Sequence, residues 1–182
     1  MRVSAPPANS APRQAAVLIP LCLVENKLVI IFTHRQEDLS HHGGEICFPG
    51  GHHDEEDHNC ITTALREANE EIGLPPQAVQ VLGQLTTLYI SPSRYIVHPI
   101  VGWIPTLPPL QPNTSEVAHI LQVPLNALLQ PETIRHEIGI RNGEPITIPY
   151  YEFQTWHIWG ATAMLLSELL VMTTQILGNG SC

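Results

Sequence analysis

The sequence predicts an α/β fold in which strands predominate and two helices flank them. Runs rich in β-branched residues and leucine recur along the chain. One segment, 60–72, has apolar residues at helical spacing, and a second, 156–177, is apolar over helical length. The chain has 182 residues, of which 43% are hydrophobic and 14% charged. This composition is typical of a globular domain with a buried core.

A loose arm and a β-hairpin are predicted at the N-terminus. Residues 1–14 contain three prolines and almost no apolar periodicity, which predicts a flexible arm. Residues 17–24 and 27–35 are predicted to be strands, joined by a short turn at Glu25-Asn26.

A polar loop and the clearest helix follow. Residues 36–58 are rich in glycine and histidine, and a loop of this length is often functional. For the helix 60–72, Asp57 and Asn59 are candidate N-terminal caps, and Gly73 is predicted to end it. Its apolar stripe comprises Ile61, Ala64, Leu65, Ala68 and Ile72.

The second half of the chain alternates strands with prolines. Residues 79–90 and 95–105 are predicted strands, and 115–129 is predicted to be a strand followed by a short helical turn. Residues 146–153 form the last predicted strand before the helix 156–177. Polar side chains interrupt that helix, which favours a buried core helix over a membrane span: His157, Ser167, Glu168 and Gln175.

Charge and cysteine content exclude several classes of function. The formal net charge is −9 and Lys27 is the one lysine, so electrostatic binding of nucleic acid is not expected. No polybasic segment for an anionic membrane is present. The four cysteines are too few and too scattered for a disulfide framework, and no CxxC pair is present, so a reducing, cytoplasmic setting is expected: Cys22, Cys47, Cys60 and Cys182.

Three carboxylates are expected to share one face of the helix 60–72. Glu67, Glu70 and Glu71 stand at positions i, i+3 and i+4, and this face lies away from the apolar stripe. Like charges at that spacing repel, and anions near a helix C-terminus oppose the helix dipole. Mg²⁺ would offset both costs, since it takes oxygen ligands together with substrate phosphates.

The alternative is that these carboxylates form an ordinary solvated helix face, as most acidic helix faces do. Two features upstream favour a site instead. Gly50-Gly51 would let the backbone approach a ligand closely, and the acidic run 54–57 adds further oxygen atoms.

Residues 51–74, GHHDEEDHNCITTALREANEEIGL, resemble the Nudix box, the signature of Mg²⁺-dependent hydrolases of nucleoside diphosphates linked to another moiety. Gly51 to Arg66 is one residue longer than the general pattern, and Asp57 stands where a glutamate is typical. Both departures resemble the coenzyme A pyrophosphatase branch. Residues 31–51, which end in FPGG, also resemble the motif of that branch. The matched positions are Gly51, Arg66, Glu67, Glu70, Glu71 and Gly73 in the box and Thr33, Arg35, Gly44, Phe48, Pro49 and Gly50 before it.

The resemblance implies an α/β/α sandwich around a mixed β-sheet, with the box as loop-helix-loop, in one domain over residues 15–178. It implies hydrolysis of coenzyme A or its derivatives to 3′,5′-ADP and 4′-phosphopantetheine. Glu67, Glu70 and Glu71, with a backbone carbonyl near Gly50-Gly51, would hold Mg²⁺ or Mn²⁺. The ion would lower the pKa of a bound water, and Arg66 would orient the glutamates.

Two assignments stay open. The general base is either Glu70 or Glu116, which lies outside the box in a loop that could fold over the site. Arg35 and Arg94 are candidate phosphate contacts, and the alternative for each is a surface ion pair.

The substrate is also open, because Gln36, Ser40 and His52 depart from the branch pattern. Ser40 replaces an arginine and His52 stands where lysine is common, so two cations that suit coenzyme A phosphates are missing. Rival substrates are ADP-ribose, NADH and dinucleoside polyphosphates. Rival functions are a non-catalytic Nudix binding module and a zinc-binding regulatory domain, the latter suggested by the histidines clustered within 41–58. A homodimer is an open prediction for its assembly.

Overall fold

A computed structural model describes residues 6–7, 11–39, 42–141 and 143–179. Most of the predicted N-terminal arm lies outside the described residues, as do Ser40, His41 and Cys182. The first strand begins at Arg13, so the expected domain boundary after residue 14 falls inside that strand.

Eleven strands form two sheets within the described chain. The larger sheet has eight strands with the central order β3-β2-β1-β7-β5, to which β4, β6 and β8 are added by pairing with β1, β7 and β2. Its strands are β1 (Arg13–Val24), β2 (Lys27–Arg35), β3 (Ile46–Cys47), β4 (Gly50–His52), β5 (Gln80–Gln84), β6 (Leu88–Ile90), β7 (Tyr95–Ile104) and β8 (Val117–Pro124). The smaller sheet has the order β11-β10-β9, with β9 (Ile134–Arg141), β10 (Glu144–Phe153) and β11 (Trp156–Ile158).

In the described ranges three α-helices accompany the sheets: α1 (Cys60–Ile72), α2 (Leu125–Leu128) and α3 (Gly160–Asn179). β1 pairs in parallel with β7 and antiparallel with β2, so the larger sheet is mixed. This sheet and its flanking helices confirm the predicted α/β/α fold class. No helix within the described ranges is both long and apolar enough to cross a membrane.

Side chains alternate across the larger sheet and build two cores. Ile19 and Ile30 face a cluster that includes Leu166 of α3, whereas Leu18 and Ile31 face a cluster that includes Ala64 of α1. Successive residues of a strand point to opposite faces, and a sheet covered on both sides therefore reads as a continuous apolar run. α1 and α3 consequently lie on opposite faces of the sheet.

The predicted hairpin and the predicted helix α1 are both present. Glu25 and Asn26 have φ angles of 51° and 60°, which suits a tight turn between antiparallel strands. Asn59 caps α1 by accepting hydrogen bonds from the first turn. Gly73 ends α1 in the left-handed conformation, with φ 65°. The expected cap at Asp57 is wrong, because its carboxylate binds Arg66 instead.

Three further expectations differ from the structure. The loop 36–58 contains the short strands β3 and β4. The C-terminal helix begins at Gly160 rather than at residue 156, because Trp156–Ile158 pairs with β10 as β11. β9 was not predicted at all, since its charged and apolar residues are exposed on both faces and show no simple burial pattern.

Candidate active site

One cleft beside α1 brings together eight of the nine predicted site residues. It has a volume of about 330 Å³. Its lining holds five carboxylates and two guanidinium groups, so its negative charge is only partly compensated. The lining residues are Arg35, Gly50, Gly51, His52, Asp54, Arg66, Glu67, Glu70, Glu71 and Glu116.

Two of the three box carboxylates are buried. Glu67 is 8% exposed and Glu71 is 2% exposed, whereas the side chain of Glu70 is 53% exposed. The expectation that all three lie on a face away from the core is therefore wrong. Glu67 and Glu71 each stand three residues after a small buried residue, Ala64 or Ala68, and so lie within the buried face of α1.

Burial raises the pKa of both carboxylates. It raises the pKa of Glu71 from 4.5 to about 7, although Arg35 and the Gly50 amide act in the opposite direction. Burial also raises the pKa of Glu67, against the effect of Arg66. Two buried carboxylates held close to one another favour a cationic partner.

The double glycine fits tightly against these carboxylates. The Gly50 N–H donates to Glu71 Oε2 at 3.2 Å. A Cβ atom on Gly51 would lie 2.4 Å from Glu67 Oε1. Glycine at position 51 therefore leaves the space that the Glu67 carboxylate occupies.

Arg66 organises the acidic groups of the cleft. Its Nε and Nη2 donate to the two oxygens of Asp57 at 3.1 and 3.0 Å. Nη1 donates to Glu70 Oε2 at 2.9 Å, and Nη2 lies 3.1 Å from Glu67 Oε1. These hydrogen bonds hold the pKa of Asp57 well below its usual range and raise that of Arg66. Arg66 thus orients two glutamates from a fixed anchor.

Asp57 was missed as that anchor. The sequence places it nine residues before Arg66, across the start of α1, and no periodicity links the two. Asp57 is buried, and its backbone N–H also bonds to the Asp54 carbonyl at 3.0 Å. The available signal was its match to the position where the Nudix box commonly has glutamate.

Arg35 connects β2 to the base of the cleft. Its Nη1 donates to Glu71 Oε1 at 3.3 Å, and its side chain is 21% exposed. Its Nε is buried without a hydrogen-bond partner in the structure. Because the guanidinium carries five N–H donors and lines the cleft, Arg35 keeps donors that Glu71 does not use.

Glu116 reaches the cleft through a loop that is tied to α1. The Asn113 N–H donates to the Glu71 carbonyl at 2.8 Å, and the Gln36 N–H donates to the Glu116 carbonyl at 2.9 Å. Gln36 also donates through its side chain to the Thr114 carbonyl at 2.9 Å. Gln36, one of the departures from the branch pattern, thus holds the loop that carries Glu116.

Arg94 is the one predicted site residue that does not line the cleft. It lies in the turn before β7, with φ 58°, and its carbonyl accepts from the Arg13 N–H. His52, another departure, does line the cleft and lies 2.8 Å from Asp54 Oδ1 through its Nε2.

Within the part of the chain that the structure describes, no three His, Cys, Asp or Glu side chains converge in an arrangement that could hold a metal ion. This applies to the clustered histidines and also to the three glutamates. In this conformation the glutamates bind the two arginines and the Gly50 amide.

The family model described as NUDIX domain matches residues 12–146, which covers the cleft and α1. The chain belongs to the Nudix family. This Nudix chain is similar to two proteins named uncharacterized Nudix hydrolase NudL. The one from Photorhabdus laumondii is 41% identical over 157 residues, covering 86% of this chain and 83% of the relative. The one from Yersinia pestis is 41% identical over 166 residues, covering 88% and 80%.

Solved structures share the Nudix fold at low sequence identity. A MutT/nudix family protein from Enterococcus faecalis has a TM-score of 0.60 at 12% identity and covers 93% of this chain and 65% of its own. The NUDIX domain of Shewanella oneidensis NrtR, in complex with ADP ribose, has a TM-score of 0.54 at 18% identity, covering 68% and 79%. A C. elegans Ap4A hydrolase has a TM-score of 0.52 at 16% identity, covering 63% and 81%.

Proposed function

We propose that this Nudix chain is a divalent-cation-dependent pyrophosphohydrolase that cleaves the diphosphate of coenzyme A or a derivative, giving 3′,5′-ADP and 4′-phosphopantetheine. The observation that carries the proposal is the cleft, where Glu67, Glu70 and Glu71 lie beside Arg35 and Arg66. The resemblance of residues 31–51 to the coenzyme A pyrophosphatase motif supports the choice of substrate.

The charge of the cleft supports a cation requirement. Five carboxylates face two guanidinium groups, and an anionic diphosphate would be repelled by that surplus. The donor set is all oxygen and includes the buried Glu71, which fits a hard cation such as Mg²⁺ or Mn²⁺. When bound, such an ion neutralises the diphosphate and activates a water.

The residues of the chain then have separate roles. Glu67, Glu70 and Glu71 would hold the cation after exchanging contacts that they now make with arginine. Arg66, anchored on Asp57, orients Glu67 and Glu70. Gly51 leaves room for Glu67, and the guanidinium of Arg35, which lines the cleft, would bind a phosphate.

Two carboxylates remain candidates for the general base. Glu70 is exposed at the cleft and is held 2.9 Å from Arg66 Nη1. Glu116 reaches the cleft on a loop that is hydrogen-bonded to α1 and to Gln36, the residue after β2. Glu70 is also a proposed cation ligand, so the Glu116→Gln variant distinguishes the two. At saturating cation it should lower kcat by about 10²-fold or more if Glu116 is the base, and leave kcat near the wild-type value if Glu70 is.

A substrate panel tests the function. Coenzyme A, dephospho-coenzyme A, ADP-ribose and NADH are incubated with Mg²⁺ or Mn²⁺, and the products are identified by mass, with Glu70→Gln as the control. Cleavage of coenzyme A to 3′,5′-ADP, faster than that of dephospho-coenzyme A, is the expected result. Faster cleavage of ADP-ribose or NADH would replace the coenzyme A assignment by another nucleoside diphosphate. Binding without products would indicate a Nudix binding module.

Three variants test how the substrate is recognised. Arg35→Ala should raise KM, because Arg35 lines the cleft, whereas Arg94→Ala should change KM less, because Arg94 does not line it. His52→Lys introduces the cation that the branch commonly has at this position. It should raise kcat/KM for coenzyme A relative to dephospho-coenzyme A, and no change would mean that His52 does not face the 3′-phosphate.

A further inference from the structure

We propose that the free edge of β9 is a dimer interface, through which two copies of this chain pair in antiparallel register around His136. The inference rests on the exposure, the edge position and the charge order of β9. It is independent of the hydrolase activity.

β9 is an edge strand. Among the described strands, β9 pairs with β10, and β10 pairs on its other side with β11. The eight residues of β9 therefore have one edge with no strand beside it. Such an edge presents amide and carbonyl groups that can pair with another strand.

The direction of these backbone groups follows from the hairpin. Arg141 pairs with Glu144 across a two-residue connection, and in such hairpins this pair exchanges hydrogen bonds. Hydrogen-bonded and non-hydrogen-bonded pairs then alternate, so the odd-numbered residues of β9 bond to β10. The amide and carbonyl groups of Ile134, His136 and Ile138 are directed to the free edge.

The apolar side chains of β9 are unusually exposed. Ile134, Ile138 and Ile140 are 47%, 74% and 80% exposed. They share one face with Tyr151 of β10, which pairs with Ile134 and packs against the core near α3. This face is thus packed at one end of the hairpin and open at the other.

The charges of β9 select a second copy of the same strand as the occupant. In the proposed register, His136 of one copy lies opposite His136 of the other, on the two-fold axis. Arg135 of each copy then faces Glu137 of the other, so this pair forms twice. Ile134 then faces Ile138, also twice, which is a favourable cross-strand pair. Moving the two-fold axis by one residue along β9 would place Arg135 opposite Arg135, or Glu137 opposite Glu137. Like charges directly opposite each other are unfavourable.

The Arg135 side chain is available for this contact. It is 53% exposed, and its Nε donates to Glu152 Oε2 at 3.1 Å within its own chain. The remaining guanidinium donors can bind a second carboxylate, since Arg carries five N–H groups in a planar fork.

Charge reversal at the interface tests the proposal by sedimentation equilibrium. Glu137→Arg should raise the dimer dissociation constant at least about tenfold, because it brings like charges together across the two-fold axis. Adding Arg135→Glu to that variant should restore dimerisation. Glu144→Arg makes the same charge change at the end of β10, away from the pairing, and should stay dimeric.

Cysteine substitution tests the register. His136→Cys places two thiols opposite each other, at a Cα separation of about 5.5 Å for a hydrogen-bonded pair, which a disulfide can span. Under mild oxidation the His136→Cys variant should cross-link into a dimer. The wild type should not, and neither should Ile140→Cys, because the two residues 140 of the dimer lie far apart along the paired strands. A monomeric wild type, a dimer insensitive to Glu137→Arg, or cross-linking at Ile140→Cys alone would each overturn the proposal.

Discussion

Replacing Gly51 by alanine is expected to displace the Glu67 carboxylate while the fold remains intact. The added Cβ would lie 2.4 to 2.6 Å from the Glu67 carboxyl atoms. The φ angle of Gly51 is outside the left-handed region, so alanine meets no backbone strain there. The clash is with the far end of a side chain that can rotate, and we expect a cost of about 2 kcal/mol in unfolding free energy.

Two other glycines provide matched comparisons. At Gly50 a Cβ would lie 2.4 Å from the Ala16 carbonyl oxygen, and φ is 157°. Backbone strain and overlap with β1 should together cost about 4 kcal/mol. At Gly83 an added Cβ would have no atom of a non-adjacent residue within 4 Å. The unfolding free energy of Gly83→Ala should therefore stay within about 0.5 kcal/mol of the wild-type value.

Urea unfolding measures the effect of each substitution on stability, and Mn²⁺ titration measures its effect on cation binding. Gly51→Ala should unfold cooperatively with a moderate loss of stability. Because it moves a proposed cation ligand, its Mn²⁺ dissociation constant, measured by electron paramagnetic resonance, should rise at least about tenfold. Gly83→Ala should leave both quantities unchanged. Unaltered Mn²⁺ binding in Gly51→Ala would refute the role given to Glu67 and to the glycine that accommodates it.

Three further outcomes follow from local contacts. Asn59→Ala removes the side-chain cap of α1 and should lower the unfolding free energy by about 1 kcal/mol in a urea titration. Gly73→Ala forces alanine into the left-handed conformation at φ 65° and should cost about 1 kcal/mol, which a thermal melt would detect as a lower Tm. Asp57→Asn weakens the charged hydrogen bonds to Arg66 and should cost about 2 kcal/mol at neutral pH. Because the folded pKa of Asp57 is lowered, its contribution is present above the unfolded value of 3.8 and is lost as pH falls through the folded pKa. The stability difference from wild type should therefore shrink in acid, and a difference that grew would contradict the ion pair.

The local sequence was sufficient to predict those features of the structure that depend on neighbouring residues. The turn at Glu25-Asn26, the helix α1 from Cys60 to Ile72 and its stop at Gly73 were all predictable. Turn and cap preferences act within a few residues and need no tertiary partner. The parallel pairing of β1 with β7 joins segments about eighty residues apart. The family resemblance implied a mixed sheet, but neither it nor any local pattern predicted which strands pair.

Sequence alone also determined which residue types could form the site. Glu67, Glu70 and Glu71 share a helix face because of the helical repeat, and the match of residues 51–74 to the Nudix box identified the family before any contact was known.

The tertiary structure decided the environments of these glutamates. Packing of α1 on β1 and β4 buries Glu67 and Glu71, leaves Glu70 exposed and brings Arg35 and Glu116 to the same cleft. It also leaves Arg94 outside and pairs Arg66 with Asp57. Burial and charge pairing depend on residues that are distant in sequence. The sequence pattern therefore indicated which glutamates are candidate cation ligands, but it could not predict their pKa values or the residues that they contact.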